Sequence, residues 1–87
     1  MPIVYIPSLL RDLTRGRETV TVPGNTVREV IDALEREYAG IQSRLCDGDA
    51  LRQGIALIVD TEVSRQGLRH PLADQSEVHF LPAVSGG

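Results

Sequence analysis

Residues 26–40 read TVREVIDALEREYAG, and the spacing within them decides the fold. Thr26-Val27-Arg28-Glu29 has the S/T-x-x-E form of a capping box. In that motif the threonine hydroxyl and the glutamate carboxylate each satisfy a backbone N–H that the first turn of a helix leaves unpaired. Val27, Val30, Ile31, Leu34 and Tyr38 recur at i, i+3, i+4, i+7 and i+11, one apolar stripe at helical period. Gly40 is placed to end the helix in the left-handed conformation that a residue without a Cβ adopts freely. The pattern predicts one amphipathic helix over residues 26–39, with a single face to bury.

The flanking segments supply the surface that face needs. Ile3-Val4-Tyr5-Ile6 is rich in β-branched and aromatic residues and stops at Pro7; Glu18-Thr19-Val20-Thr21-Val22 alternates and stops at Pro23-Gly24-Asn25. These predict an antiparallel pair of strands, joined by a loop that holds Leu9, Leu10, Leu13 and a possible helical turn before Gly16 reverses the chain. After the helix, Ile41, Leu45 and Leu51 can pack while Asp47-Gly48-Asp49 is a turn cluster, so residues 41–54 read as irregular with room for one short helix. Ile55-Ala56-Leu57-Ile58-Val59 is a third strand, Asp60-Thr61 a tight turn and Glu62-Val63 a short fourth element. A polar connection over residues 68–76 leads to Glu77-Val78-His79-Phe80-Leu81, the last strand, stopped by Pro82. The order β-β-α-β-β-β calls for the α+β class. One helix packed across a mixed sheet of four or five strands is its economical two-layer solution, the β-grasp or ubiquitin-like architecture. The expected division is a β-grasp domain over residues 1–82 and a flexible Gly-Gly tail over residues 83–87.

Composition narrows the function. The 87 residues suit one small domain, and 41% hydrophobic content suffices for its core. Aromatics are 3% (Tyr5, Tyr38 and Phe80), too few for base stacking, and the formal charge of -3 opposes phosphate-backbone binding. Nucleic acid is therefore not an expected partner. Cys46 stands alone, which rules out an internal disulfide and an iron–sulfur site of the ferredoxin type, and points to a reducing, cytoplasmic home. The N-terminal MPIVYIPSLL lacks the basic region of a signal peptide, and no apolar run approaches the roughly 18 residues of a membrane span.

Catalytic groups are scarce. His79 alternates with Val78 and Phe80 and should lie solvated on the outer sheet face; His70, before Pro71, belongs to a connection. Cys46 has only Arg44 and Arg52 close by in sequence to activate it and reads as a small packed hydrophobe. Arg11, Arg15 and Arg17 read as a solvated loop or a docking patch for an acidic partner, and the glycines at 16, 24, 40, 48, 54 and 67 form no phosphate-binding fingerprint. No catalytic set and no metal site is expected.

The distinctive feature is the ending, Leu81-Pro82-Ala83-Val84-Ser85-Gly86-Gly87. At a glycine usage of roughly 7%, a terminal pair arises by chance in about one chain in two hundred. Here it follows a final strand and a short extended spacer, so that the carboxylate stands on a stalk whose tip has no side chains. Such a tip can enter an active site too narrow for any residue with a Cβ.

The stretch HPLADQSEVHFLPAVSGG, residues 70–87, resembles the C-terminal signature of the ubiquitin-like sulfur carriers of molybdopterin, thiazole and cysteine biosynthesis, the MoaD/ThiS family. The resemblance extends over nearly the whole chain, through Tyr38-Ala39-Gly40-Ile41, Leu57-Ile58-Val59-Asp60, Glu62-Val63 and Pro71-Leu72-Ala73-Asp74. It implies a non-catalytic carrier whose Gly87 is adenylated by an E1-like adenylyltransferase and sulfurtransferase, then converted to a thiocarboxylate. Gly86, Ser85 and Val84 would be read as the tail. ATP and magnesium would belong to that partner, and the carrier would bind no cofactor itself. The sulfur-accepting partner would be a cysteine synthase, a molybdopterin synthase large subunit or a thiazole synthase. Tyr-Ala-Gly-Ile and LPAVSGG are most similar to the cysteine-biosynthesis carriers. No membrane is implied, and the free carrier is expected to be a monomer.

The docking surface can also be anticipated. Ile55 to Val59 is apolar throughout, and Leu81 is out of phase with Val78 and Phe80, so apolar side chains should remain on the solvent face of the sheet. Leu57 or Ile58, with Leu81, Pro82 and Val84, is the expected partner-docking patch. The alternative is that residues 41–54 fold over it. The rival functions are a protein modifier that joins Gly87 to a lysine of its target and a β-grasp binding module whose glycines are incidental.

Overall fold

In the computed structural model, which describes residues 1–82, Thr26 caps the helix as its sequence predicts. Thr26 Oγ1 accepts from the Glu29 N–H at 3.3 Å, and Glu29 Oε1 reaches back to the Asn25 N–H at 2.9 Å, one residue before the expected partner. Helix α1 spans Val27–Glu37 and buries Val27, Val30, Ile31, Ala33 and Leu34. Tyr38 closes it, and Gly40 follows at φ +100°, the left-handed position anticipated for it.

Five strands receive that face: β1 (Ile3–Tyr5), β2 (Thr19–Thr21), β5 (Ile55–Val59), β6 (Glu62–Val63) and β7 (Glu77–Pro82), in the order β2-β1-β7-β5-β6. Only the β1–β7 pair is parallel. The last strand thus lies in the middle, between the β1–β2 pair and the β5–β6 hairpin. Val4 faces both Val20 and Val78, Val59 faces Val78, and Leu57 faces Phe80, so one inward row of six side chains meets the helix stripe. This is the mixed-sheet β-grasp fold.

Residues 41–54 are more ordered than their sequence suggests. They form helix α2 (Ile41–Leu45) and a minimal antiparallel pair, β3 (Cys46–Asp47) and β4 (Ala50–Leu51), which turns at Gly48, φ +66°. Two-residue strands are too short to display an alternation, which is why only the helix and the turn are readable. The β5–β6 turn is the expected tight one, with Asp60 and Thr61 both at positive φ, +50° and +74°. The Asp60 carboxylate accepts from Ser76 Oγ and the Glu77 N–H, which ties the turn to the start of β7. Among the described residues no helix is long and apolar enough to cross a membrane.

Candidate functional site

The end of β7, at Pro82, is the end of the described chain. β1 accompanies β7 only as far as the pair Tyr5↔His79, because Pro7, without an N–H to donate, turns β1 away into a 3-10 turn at Ser8–Leu10. Phe80, Leu81 and Pro82 run on with β5 as their sole strand neighbour among the described residues, opposite Leu57, Ala56 and Ile55. Hollows lie on both sides of this projecting end. The one on the helix side, about 180 Å³, is apolar: Pro7, Leu10, Leu45, Ile55 and Phe80 line it, with Leu9 and Arg44 at its margin. The one on the outer side, about 330 Å³, lies between Tyr5, Ser8, Arg11, His79 and Leu81. Val84, Ser85, Gly86 and Gly87 lie outside the described residues, as does the side chain of Pro82.

The outer face of the sheet carries a row of apolar side chains next to this end. Leu81 is 45% exposed beside Ala56, and Ile58, half-buried, stands between His79 on one side and Val63 on the other. Val63 is the most exposed of them at 70%. Leu57 is not part of the row, and its expected docking role is corrected: it is buried on the opposite face against Phe80, its partner across the ladder. Since neighbouring residues on a strand point to opposite faces, placing Leu57 inward places Ile58 outward. Residues 41–54 do not cover the row, because Ile41, Leu45 and Cys46 are packed into the core on the helix side.

Val63 was not among the residues expected from the sequence, yet the signal was there. A two-residue turn at Asp60-Thr61 sets Ile58 opposite Val63, so nominating one should have nominated the other. Tyr5 and His79 are the other unanticipated pair. Their rings stack on the outer face with centroids 4.1 Å apart and planes 7° from parallel. His79 Nε2 lies 3.8 Å from the Glu77 carboxylate, and Arg11 donates from Nε to the Ile6 carbonyl at 3.1 Å. The patch is therefore apolar toward β6 and polar toward β1.

Cys46 and His70 serve the fold. Cys46 is buried, and that burial pushes its thiol up, away from the reactive thiolate. Ser64 Oγ accepts the N–H groups of Gln66 and Gly67 and lies within hydrogen-bond distance, 2.7 Å, of His70 Nδ1. His70 thus anchors the connection before β7. Among the described residues no group of three or more His, Cys, Asp or Glu side chains is placed to hold a metal ion.

The chain is 39% identical over 89 residues to the sulfur carrier protein CysO of Mycobacterium tuberculosis, covering 97% of this chain and 96% of that protein. It superposes on CysO in the crystal structure of the Amycolatopsis orientalis BexX/CysO complex with a TM-score of 0.92 at 38% identity, over the whole of both chains. It is also similar to the small archaeal modifier protein 1 of Methanosarcina acetivorans, with a TM-score of 0.81 at 26% identity over 99% of this chain and 95% of that one. The ThiS family model matches residues 4–87, from the first strand through the final glycine, and the chain belongs to the ThiS family.

Proposed function

We propose that the chain is a sulfur carrier of cysteine biosynthesis that works through the carboxyl group of Gly87. A carboxylate is a poor electrophile, because its charge is delocalised and its leaving group would be oxide. In this reading an E1-like partner, using ATP and magnesium, joins the Gly87 carboxylate to AMP and releases pyrophosphate. Sulfide then attacks the acyl carbon as the bond to AMP breaks, and the terminus ends as a thiocarboxylate; a persulfide donor would first give an acyl disulfide, whose S–S bond a second thiol must cleave to leave the same thiocarboxylate. Its sulfur is nucleophilic and is carried to the acceptor, a cysteine synthase in this reading, without release as free sulfide. The carrier contributes no catalytic side chain.

The observation that carries the reading is the projecting end of β7, in a chain 39% identical to CysO over nearly its whole length. A strand that outruns its neighbour carries the chain past β1 as far as Pro82, and the row of Leu81, Ile58 and Val63 offers the partner an apolar surface beside it. Val84, Ser85 and Gly86 are then the tail residues the partner's channel reads. A relative that works by contact is consistent with this, since A. orientalis CysO crystallises in complex with BexX.

The test is the intact mass of the chain after incubation with its E1-like enzyme, ATP, magnesium and sulfide. Exchange of one oxygen for sulfur is expected, and deletion of Gly87 should abolish it without changing thermal unfolding. A truncated chain that still gained sulfur would sink the proposal. The likeness to an archaeal modifier protein supports a second reading, attachment of Gly87 to lysines of other proteins through the same adenylate. High-mass adducts in which cleavage after Arg69 leaves residues 70–87 joined through Gly87 to a target lysine would favour it.

A further inference from the structure

The sheet has a second surface, two strands away from β7. β2 is the edge of the sheet, and the β1–β2 register fixes which of its groups face the open side. Ile6 donates from N–H to the Glu18 carbonyl at 2.8 Å and Val22 to the Pro2 carbonyl at 3.2 Å, bracketing the pair Val4↔Val20. Residues 18, 20 and 22 therefore bond inward, while Thr19 and Thr21 turn their N–H and C=O groups outward. Beside that edge a groove of about 380 Å³ runs between β2 and the C-terminal end of α1. Val20 and Tyr38, both buried, form its floor, and Arg15, Arg17, Thr21 and Glu37 its walls.

The backbone of the loop that carries the arginines is held by the fold. Thr14 is fully buried, and its hydroxyl lies 3.3 Å from the Arg11 carbonyl and 2.9 Å from that of Arg17, pinning both ends of the loop between them. Arg15 is at φ +57°, and its guanidinium carbon lies 5.9 Å from the Tyr38 ring centroid. Among the described residues neither Arg15 nor Arg17 has a carboxylate within ion-pair distance, whereas Arg11 is paired with Glu18. In a chain of net charge -3, this is a local concentration of positive charge at the Thr19 end of an open strand.

We propose that this edge binds an extended, acidic peptide segment of a partner protein, which adds to the sheet beside β2. Its backbone bonds to Thr19 and Thr21, and its carboxylates sit on Arg15 and Arg17. Open backbone groups supply affinity in such strand addition, and flanking side chains supply selectivity. Pro23, two residues past β2, ends the ladder and keeps the added strand short, so the charges decide which segment is accepted. The site leaves the outer row free. A partner can therefore keep the carrier tethered by a flexible acidic segment while the terminus is engaged elsewhere.

The test is amide-resolved NMR of the full chain titrated with the acetylated peptide Asp-Asp-Asp-Val-Ile-Thr-Val-Thr, the same peptide in reversed order, and counterparts with lysine in place of aspartate. One acidic peptide should shift the Thr19 and Thr21 amide signals and slow their hydrogen exchange, with Ile58, Val63 and Leu81 unmoved. Arg17→Glu combined with Arg15→Gln should weaken that binding about tenfold, the size expected from losing or reversing two exposed charge contacts. Arg17→Glu alone, at an exposed position, should weaken it in the same direction. Equal binding of acidic and lysine peptides, shifts centred on Ile58, Val63 and Leu81, or no response of Thr19 and Thr21 would each overturn the proposal.

Discussion

Glu35 joins the two helices. Its carboxylate accepts the Gly40 N–H on both oxygens, at 3.2 and 3.0 Å, and the Gln42 N–H at 2.9 Å. The bonds from Gly40 and Gln42 hold its carboxyl below the ordinary value of 4.5. A depressed folded value means that the contribution is complete above the unfolded value and is lost as pH falls through the folded one. Glu35→Gln should therefore lower the thermal midpoint at pH 7 and flatten its dependence on pH below about 4.5, where the unfolded carboxyl begins to take up its proton. An unchanged acid limb would show that the loss comes from other carboxylates. Gly24 offers a steric counterpart: a Cβ there would lie 2.8 Å from both Cγ2 and the backbone nitrogen of Val30, in the first turns of α1. Backbone cannot step aside as a side-chain tip can. Gly24→Ala should cost roughly 2 kcal/mol, read from denaturant unfolding. Neither role was legible in the sequence. The partners of Glu35 are a left-handed glycine, Gly40, and a residue past it, and the close approach at Gly24 exists only once the chain doubles back. Thr26 and Glu29 were legible because their partners lie within one helical turn.

At the scale of elements, β5 shows what alternation can and cannot settle. Ile55 to Val59 is apolar throughout, so its length marks a strand but its phase is hidden; β7 supplies the phase by setting Phe80 against Leu57. Leu57 and Ile58 are adjacent and similar in volume, yet they should behave differently. Leu57→Ala is expected to cost about 2–5 kcal/mol as a core truncation, whereas Ile58→Ala, on the outer face, should cost less than half of that. Leu81→Asp should leave the unfolding free energy within about 0.5 kcal/mol of the parent, as exposed substitutions usually do, and should weaken binding to the activating enzyme. Unfolding of that variant would place Leu81 in the core. The long helix was readable to within two residues because its stripe repeats for three turns. The strands ended one residue short of expectation at either end of the β1–β2 pair, where the ladder continues through the Ile6–Glu18 and Val22–Pro2 bonds.

For the whole molecule, element order was legible and strand order was not. Sequence neighbours predict the β1–β2 and β5–β6 pairs; that the first and last strands lie side by side follows only from closing both around one helix. The arrangement has a mechanical meaning. β1 and β7 run parallel, and β7 is bonded on both flanks, to β1 across three residue pairs and to β5 across five. A partner drawing on the chain beyond Pro82 pulls along the axis of β7. The load then falls in shear on all the ladder bonds together, instead of peeling them one at a time. Traction on the end of this strand is resisted by the whole width of the sheet, and a terminus can be drawn taut while the domain behind it stays folded.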